Sequence, residues 1–247
     1  MHGIRSKLKS VGQFRERGKV VMVRAGFDGE LKDGKLADNS RLRAALPTLE
    51  HLVSLGSRIL IVAHFGRPHG ELNPLLSLRP AAENLSEIMG RKFVVIDDER
   101  PVFPSYPVPH IFFYGGDFKK LDKGNFESQM SPGDILVLEN IRFYPGEEEM
   151  NERFAKDLAA LGDFYVNEAF NVCHHPSVST VLVPKVLPHY AGLQLLKELE
   201  ALDYVLRNAR KPLVLVILAT RCVTSRLNSK TLPLGPFFGW ITNRKTR

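Results

Sequence analysis

Short runs of Val, Ile and Leu recur at 19–23, 58–63, 93–96, 134–138, 164–166 and 213–218, with apolar residues at consecutive rather than alternate positions. A strand reads this way when both of its faces are buried, as in a parallel sheet covered on each side by helices. Between the runs, segments 41–55, 78–89 and 147–161 space their apolar residues three to four apart, the period of an amphipathic helix. The alternation predicts an α/β chain of the Rossmann-like, three-layer α/β/α class with a parallel sheet. A further helix is expected over 192–208, where Leu195, Leu199, Leu202 and Leu206 recur on one face. It is long enough to connect two domains. Segment 101–132 holds Pro101, Pro104, Pro107 and Pro109, which exclude a regular helix around them, and it reads as a long surface excursion. Beyond 228, Pro233, Gly235, Pro236 and Gly239 interrupt any period.

Composition narrows the class. With 247 residues, 44% of them hydrophobic, the chain can build one large core and part of a second. Its longest apolar run, 213–219, falls far short of the ~20 residues of a membrane-spanning helix, so no membrane is expected as a partner. The basic, partly apolar stretch 1–19 runs directly into the first strand and leaves little sequence for a cleaved leader. Cys173 and Cys222 make no Cys-x-x-Cys pair and no disulfide framework, which points to a reducing, cytoplasmic location. The net charge of +7 suggests nucleic acid until its position is considered. Six basic residues and no acid lie from Arg221 onward, leaving +1 on everything before them. A short basic tail with few interleaved aromatics is a poor platform for bases, so nucleic acid is not an expected partner.

Ligands of open parallel sheets bind beyond the carboxyl ends of the strands. Here those ends are basic. The first strand runs into Arg24, the second into His64-Phe65-Gly66-Arg67-Pro68, the fourth into Glu139-Asn140-Ile141-Arg142-Phe143, and the fifth into Asn167-Glu168-Ala169-Phe170, followed by His174 and His175. Arginine offers a planar fork of donors suited to phosphate and carboxylate, and several together imply a multiply charged anion. Gly66 would allow close backbone approach, Pro68 would stiffen the turn that aims Arg67, and Arg41 adds a cation where Asp38, Asn39 or Ser40 could cap a helix. Taken singly, Arg24 or Arg142 could instead pair with Glu139 or Glu168, and each histidine could be structural. Cys173-His174-His175 does not read as a metal site, because adjacent residues point in different directions and no other ligand spacing supports it. The convergence of four strand ends is the signal.

These residues carry a resemblance to the phosphoglycerate kinases. It runs through Val-Arg-Ala-x-Phe at 23–27, Asn-Ser-Arg-Leu-Arg-Ala-Ala-Leu-Pro-Thr-Leu from Asn39, His-Phe-Gly-Arg-Pro-His-Gly from His64 and Ser-Leu-Arg-Pro from Ser77. It continues in Pro-Gly-Asp-Ile-Leu-Val-Leu-Glu-Asn-Ile-Arg-Phe from Pro132, Tyr-Val-Asn-Glu-Ala-Phe from Tyr165, Ser179-Thr180-Val181, Ala191-Gly192-Leu193 and Lys197-Glu198-Leu199. The resemblance implies two Rossmann-like domains joined by a helix, with phosphoglycerate on the first and nucleotide on the second. It places the phosphoglycerate domain at 1–190, the connecting helix at 191–210 and a remnant of the nucleotide domain at 211–247.

The implied function is the glycolytic, reversible transfer of a phosphoryl group between 1,3-bisphosphoglycerate with ADP and 3-phosphoglycerate with ATP, using Mg2+. The alternative is a non-catalytic binding protein for a small phosphorylated metabolite. By resemblance, Arg24, Gly26, Phe27, Asp28, Arg41, His64, Phe65, Gly66, Arg67, Arg142 and His175 would form the phosphoglycerate site of a monomer, Arg41 would stabilise charge on the transferred group, and Arg226 would face the nucleotide. The chain departs from the pattern at Gly26-Phe27-Asp28, where the family reads Asp-Phe-Asn, and at Asn171-Val172-Cys173-His174-His175, where it reads Gly-Thr-Ala-His-Arg. Ser177 also stands in place of a histidine. Ala219-Thr220-Arg221-Cys222-Val223-Thr224-Ser225-Arg226 replaces a glycine- and lysine-bearing nucleotide loop, and the resemblance stops at Leu227.

Overall fold

The computed structural model describes residues 8–208, apart from 97, 100 and 105. The chain divides after Tyr204 into two units, and the sheet and candidate site belong to the first. The expected strand at 213–218, the 211–247 segment and Arg226 lie outside the described residues.

Seven strands form one parallel sheet in the order β5-β6-β7-β4-β1-β8-β9: β1 (Val20–Arg24), β4 (Arg58–Val62), β5 (Phe93–Ile96), β6 (Ile111–Tyr114), β7 (Ile135–Leu138), β8 (Phe164–Asn167) and β9 (His189–Ala191). A two-stranded antiparallel ribbon, β2 (Leu31–Lys32) and β3 (Lys35–Leu36), turns through Asp33 and Gly34, both at positive φ. The helices are α1 (Ser40–Ser54), α2 (Arg79–Met89), α3 (Lys123–Gln129), α4 (Pro145–Glu148), α5 (Glu152–Ala159), α6 (Val183–Val186) and α7 (Leu193–Asn208).

The consecutive apolar positions are explained by burial on both sides. In β1, Val21 and Val23 pack into one core with Leu42, Leu49 and Leu52 of α1 and Leu85 of α2. Val20 and Met22 face the opposite core, with Phe126 of α3 and Phe154 and Leu158 of α5. Ile59 and Ile61 of β4 alternate with Leu60 and Val62 in the same way. The expected three-layer α/β architecture is present.

Two local expectations are corrected, and two details are added. Segment 101–132 is not a surface excursion: it contains β6, buried along its whole length between β5 and β7, and α3, and it contributes Phe103, Phe118, Phe126 and Met130 to the core. Its prolines precede the strand rather than interrupt it. The helix expected at 147–161 is two helices, because Met150 adopts φ 57° and Asn151 restarts the chain, its Oδ1 accepting from the Phe154 N–H at 3.0 Å. The edge strand β9 has only three residues and no apolar run to announce it. In α7, Leu195 and Leu196 are buried and Leu199 is partly buried, whereas Leu202 is 42% exposed, so among the described side chains the leucine stripe is covered at Leu195 and Leu199 and open at Leu202.

Candidate functional site

β1 leads through α1 to β4 on one side, while its other neighbour, β8, leads to β9 on the opposite side. The loops after β1 and β8 therefore diverge and leave a crevice beyond the carboxyl ends of the strands. β4 and β7 deliver the other basic segments to the same end of the sheet.

Arg24, the last residue of β1, is 1% exposed. Its Nε donates to Ser179 Oγ at 2.8 Å, its Nη1 to the Ala25 carbonyl at 2.5 Å and its Nη2 to His64 Nδ1 at 2.9 Å. Ser179 passes the connection on, its Oγ donating to Glu147 Oε1 at 2.5 Å and its N–H to Glu147 Oε2 at 2.9 Å. Burial lowers the Arg24 pKa and the Glu147 carboxylate raises it. The guanidinium still remains charged, because an arginine pKa starts too high to reach neutrality.

Guanidinium can only donate, so Nδ1 of His64 must accept, and a neutral ring then carries its proton on Nε2. Neutrality is enforced. Burial, followed by Arg24, Arg142, Arg41 and His175, pushes the His64 pKa down to about 2. Its Nε2 lies 3.8 Å from Asp28 Oδ2, a contact between an N–H dipole and a carboxylate rather than an ion pair. Asp28 also accepts from the Gly66 N–H through Oδ1 at 2.9 Å, and its carbonyl accepts from Arg41 Nη1 at 2.6 Å. One residue thus ties the loop after β1 to the loop after β4 and to the start of α1.

Gly66 has φ 62°, and a Cβ there would stand 2.8 Å from Leu76 Cδ2. Asn140, fully buried after β7, donates through Nδ2 to the carbonyls of Phe65 at 2.7 Å and Leu76 at 2.8 Å. Arg142 Nη1 donates to the Gly66 carbonyl at 3.1 Å, and its Nε meets Glu148 Oε1 at 3.3 Å. The same carboxylate oxygen lies 3.9 Å from His175 Nε2. Arg67 is exposed and has no partner among the described residues. Arg41 is exposed in the first turn of α1; the N-cap residue, Asn39, makes no side-chain capping hydrogen bond, and Asp38 accepts instead from both the N–H and the hydroxyl of Ser40, the first helical residue.

Most of the anticipated residues converge, though in different capacities. Hydrogen bonds and close contacts link Arg41, Asp28, His64, Gly66 and Arg142, and Glu148 lies between Arg142 and His175; Arg67 follows Gly66 on the loop after β4. Phe27 and Phe65 have their side chains in the core, so only their backbone can meet a ligand. Gly26 is covered by Asn171. The alternative ion pairs do not form: Glu139 accepts from Ser77 Oγ and the N–H groups of Leu78 and Asn140, while Glu168 accepts from the Gln194 N–H at 3.1 Å. Sequence reasoning gave no role to Glu147 and Glu148, whose contacts with Ser179 and His175 join distant parts of the chain, and met Asn171 only as a departure from the family motif. No group of three His, Cys, Asp or Glu residues able to hold a metal occurs among the described residues. Nor does any helix there have the length and apolar character to cross a membrane. A hollow of about 420 Å³ lies beside β9 and one of about 370 Å³ beside α4, neither of them lined by Arg24, Arg41, Arg67 or Arg142.

Fold and site define a doubly wound α/β protein with a cationic crevice at its strand ends. The model of the phosphoglycerate kinase family matches residues 11–227, and the chain belongs to that family. It is 38% identical over 211 residues to a phosphoglycerate kinase of Borreliella burgdorferi, a match that covers 85% of this chain and 49% of the relative. The structure of phosphoglycerate kinase from Coxiella burnetii superposes with a TM-score of 0.66 at 29% identity, over 83% of this chain and 46% of the other. The enzyme from Pyrococcus horikoshii OT3, at 24% identity and a TM-score of 0.64, shares the fold over 83% of this chain and 47% of its own. The chain spans about half the length of the relatives it matches.

Proposed function

We propose that this chain binds 3-phosphoglycerate and 1,3-bisphosphoglycerate in the crevice, as the substrate-holding half of a glycolytic phosphoglycerate kinase. The observation that carries this reading is the linkage of Arg41, Arg142 and a neutral, Nε2-protonated His64 through Asp28 and Gly66, with Arg67 next to Gly66 in the chain. All four supply donors, which is what an acceptor-only phosphate and carboxylate require. Arg24 serves the site through His64, since it is buried and directs donors to Ser179, Ala25 and His64 inside the protein. Arg41, at the N-terminal end of α1, is the candidate for charge stabilisation on the transferred group.

The family uses ATP or ADP with Mg2+, and the one residue expected to meet them, Arg226, is outside the described residues. The nucleotide side therefore rests on the resemblance alone. Isothermal titration of the full chain with 3-phosphoglycerate, then with MgADP, tests the proposal. We expect phosphoglycerate binding that Arg142→Ala weakens about tenfold or more, the scale of a lost charge-assisted hydrogen bond. A folded chain that takes up no 3-phosphoglycerate at millimolar concentration would refute it. Binding of phosphoglycerate without MgADP would favour a binding protein over a kinase.

A further inference from the structure

We propose that Asn171 is a specificity-determining residue, its carboxamide meeting the hydroxyl group of the bound acid from the place that a side chain at position 26 would otherwise occupy. The inference rests on the reading of the crevice as a phosphoglycerate site. A Cβ built on Gly26 would overlap Asn171 Oδ1 and stand 3.2 Å from its Cγ and 3.4 Å from its Nδ2. The Asn171 carboxamide, reaching across from the loop after β8, thus fills the side-chain space of the residue that follows β1 and Ala25. Position 26 and position 171 are also two of the places where the chain departs from the family motifs, which read an acid and a glycine there. The chain has the small residue first and the large one second, so both changes belong to a single exchange of volume.

The chemistry of the carboxamide separates it from its neighbours. Asn171 is exposed, and its side chain makes no hydrogen bond to any described residue. It shares a cleft with Arg41, Glu168, Gln194 and Glu198. The arginines of the crevice can only donate, and they match phosphate and carboxylate oxygens. An amide donates from Nδ2 and accepts at Oδ1, which matches a neutral hydroxyl, itself both donor and acceptor. A site that hydrogen-bonds a substrate hydroxyl discriminates against the analogue without it, because the site's polar atoms are then left unpaired. Asn171 therefore adds selection for a hydroxylated carbon skeleton to a crevice whose cations select only for charge.

Isothermal titration of the full chain with 3-phosphoglycerate and with 3-phosphooxypropionate, which lacks the 2-hydroxyl, tests this. The wild-type chain is expected to prefer 3-phosphoglycerate, and Asn171→Ala to weaken that ligand about three- to tenfold while leaving the analogue unchanged. Equal affinities of wild type and Asn171→Ala for 3-phosphoglycerate would overturn the inference and leave the crevice reading standing. A folded wild-type chain that binds neither compound would overturn both. Thermal unfolding probes the shared volume separately: Gly26→Asp should lower the transition temperature, and Asn171→Gly in the same chain should restore it. Additive effects of the two substitutions would show that the side chains do not compete for one space and would overturn the exchange.

Discussion

Nη2 of Arg24 donates to Nδ1 of His64 across 2.9 Å, so a residue sealed inside the sheet decides which nitrogen of the imidazole carries the proton. The control extends back through Ser179 to Glu147, and all three partners of this chain of bonds are buried. Arg24→Met would leave the Glu147 carboxylate without its cation and free the His64 ring. We expect a loss of about 3 kcal/mol in a denaturant titration, the scale for a buried charge that loses its partner. Arg24→Lys should not rescue it, because one ammonium cannot reproduce three donors directed at Ser179, Ala25 and His64.

The depressed His64 pKa has a definite pH signature. Its folded value of about 2 lies below the ordinary 6.5, so between these values the unfolded chain takes up a proton that the native chain refuses. The His64 contribution to stability is therefore complete above pH 6.5 and is lost as pH falls through this window. Nitrogen-15 NMR of the imidazole should show a neutral, Nε2-protonated ring from pH 8 to pH 5. A ring that titrates near 6.5 would contradict the arrangement.

Glu168 works in the opposite direction. Burial raises its pKa from 4.5 to about 8, against the opposing influence of the Gln194 N–H and the Thr48 hydroxyl, and its Oε2 has no hydrogen-bond partner. The native chain holds a proton that the unfolded chain releases, so this contribution is complete below pH 4.5 and disappears as pH rises through 8. Glu168→Gln, which keeps the shape and removes the titration, should be more stable than wild type at pH 8 and flatten the decline between pH 5 and 8. Denaturant midpoints measured at both pH values decide this.

Gly66 combines a positive φ with close contact to Leu76. Gly66→Ala should destabilise the chain by about 1–2 kcal/mol, through left-handed backbone strain and displacement of the leucine. Because the Gly66 N–H donates to Asp28 and the Gly66 carbonyl accepts from Arg142, affinity for 3-phosphoglycerate should fall with it.

Arg67 provides the contrast with Arg24. It is exposed and holds no described residue, so Arg67→Ala should change stability by no more than about 0.5 kcal/mol. Its effect should appear in ligand affinity, and that effect should shrink as salt is added, because an exposed cation is screened. A large loss of stability would show that Arg67 has a structural role.

The sheet was legible because its information is local. Consecutive apolar residues within Val20–Arg24 and Arg58–Val62 marked strands covered on both faces, and the basic residues that follow them marked the end of the sheet where the candidate site lies. The family motifs carried most residues of the crevice as well. Ile111–Tyr114 escaped notice because four apolar residues after a proline-rich stretch carry too little periodicity to distinguish a core strand from a loop. What a residue does inside the site was decided only by packing. Arg24 and Arg67 read alike as arginines after a strand, yet Ser179, 155 positions away, and His64, 40 positions away, draw the first into the interior while the second remains in solvent. Asn171 lies over Gly26 for the same reason: spacing along the chain is silent about which loops face each other, and the tertiary fold brings the ends of β1 and β8 together.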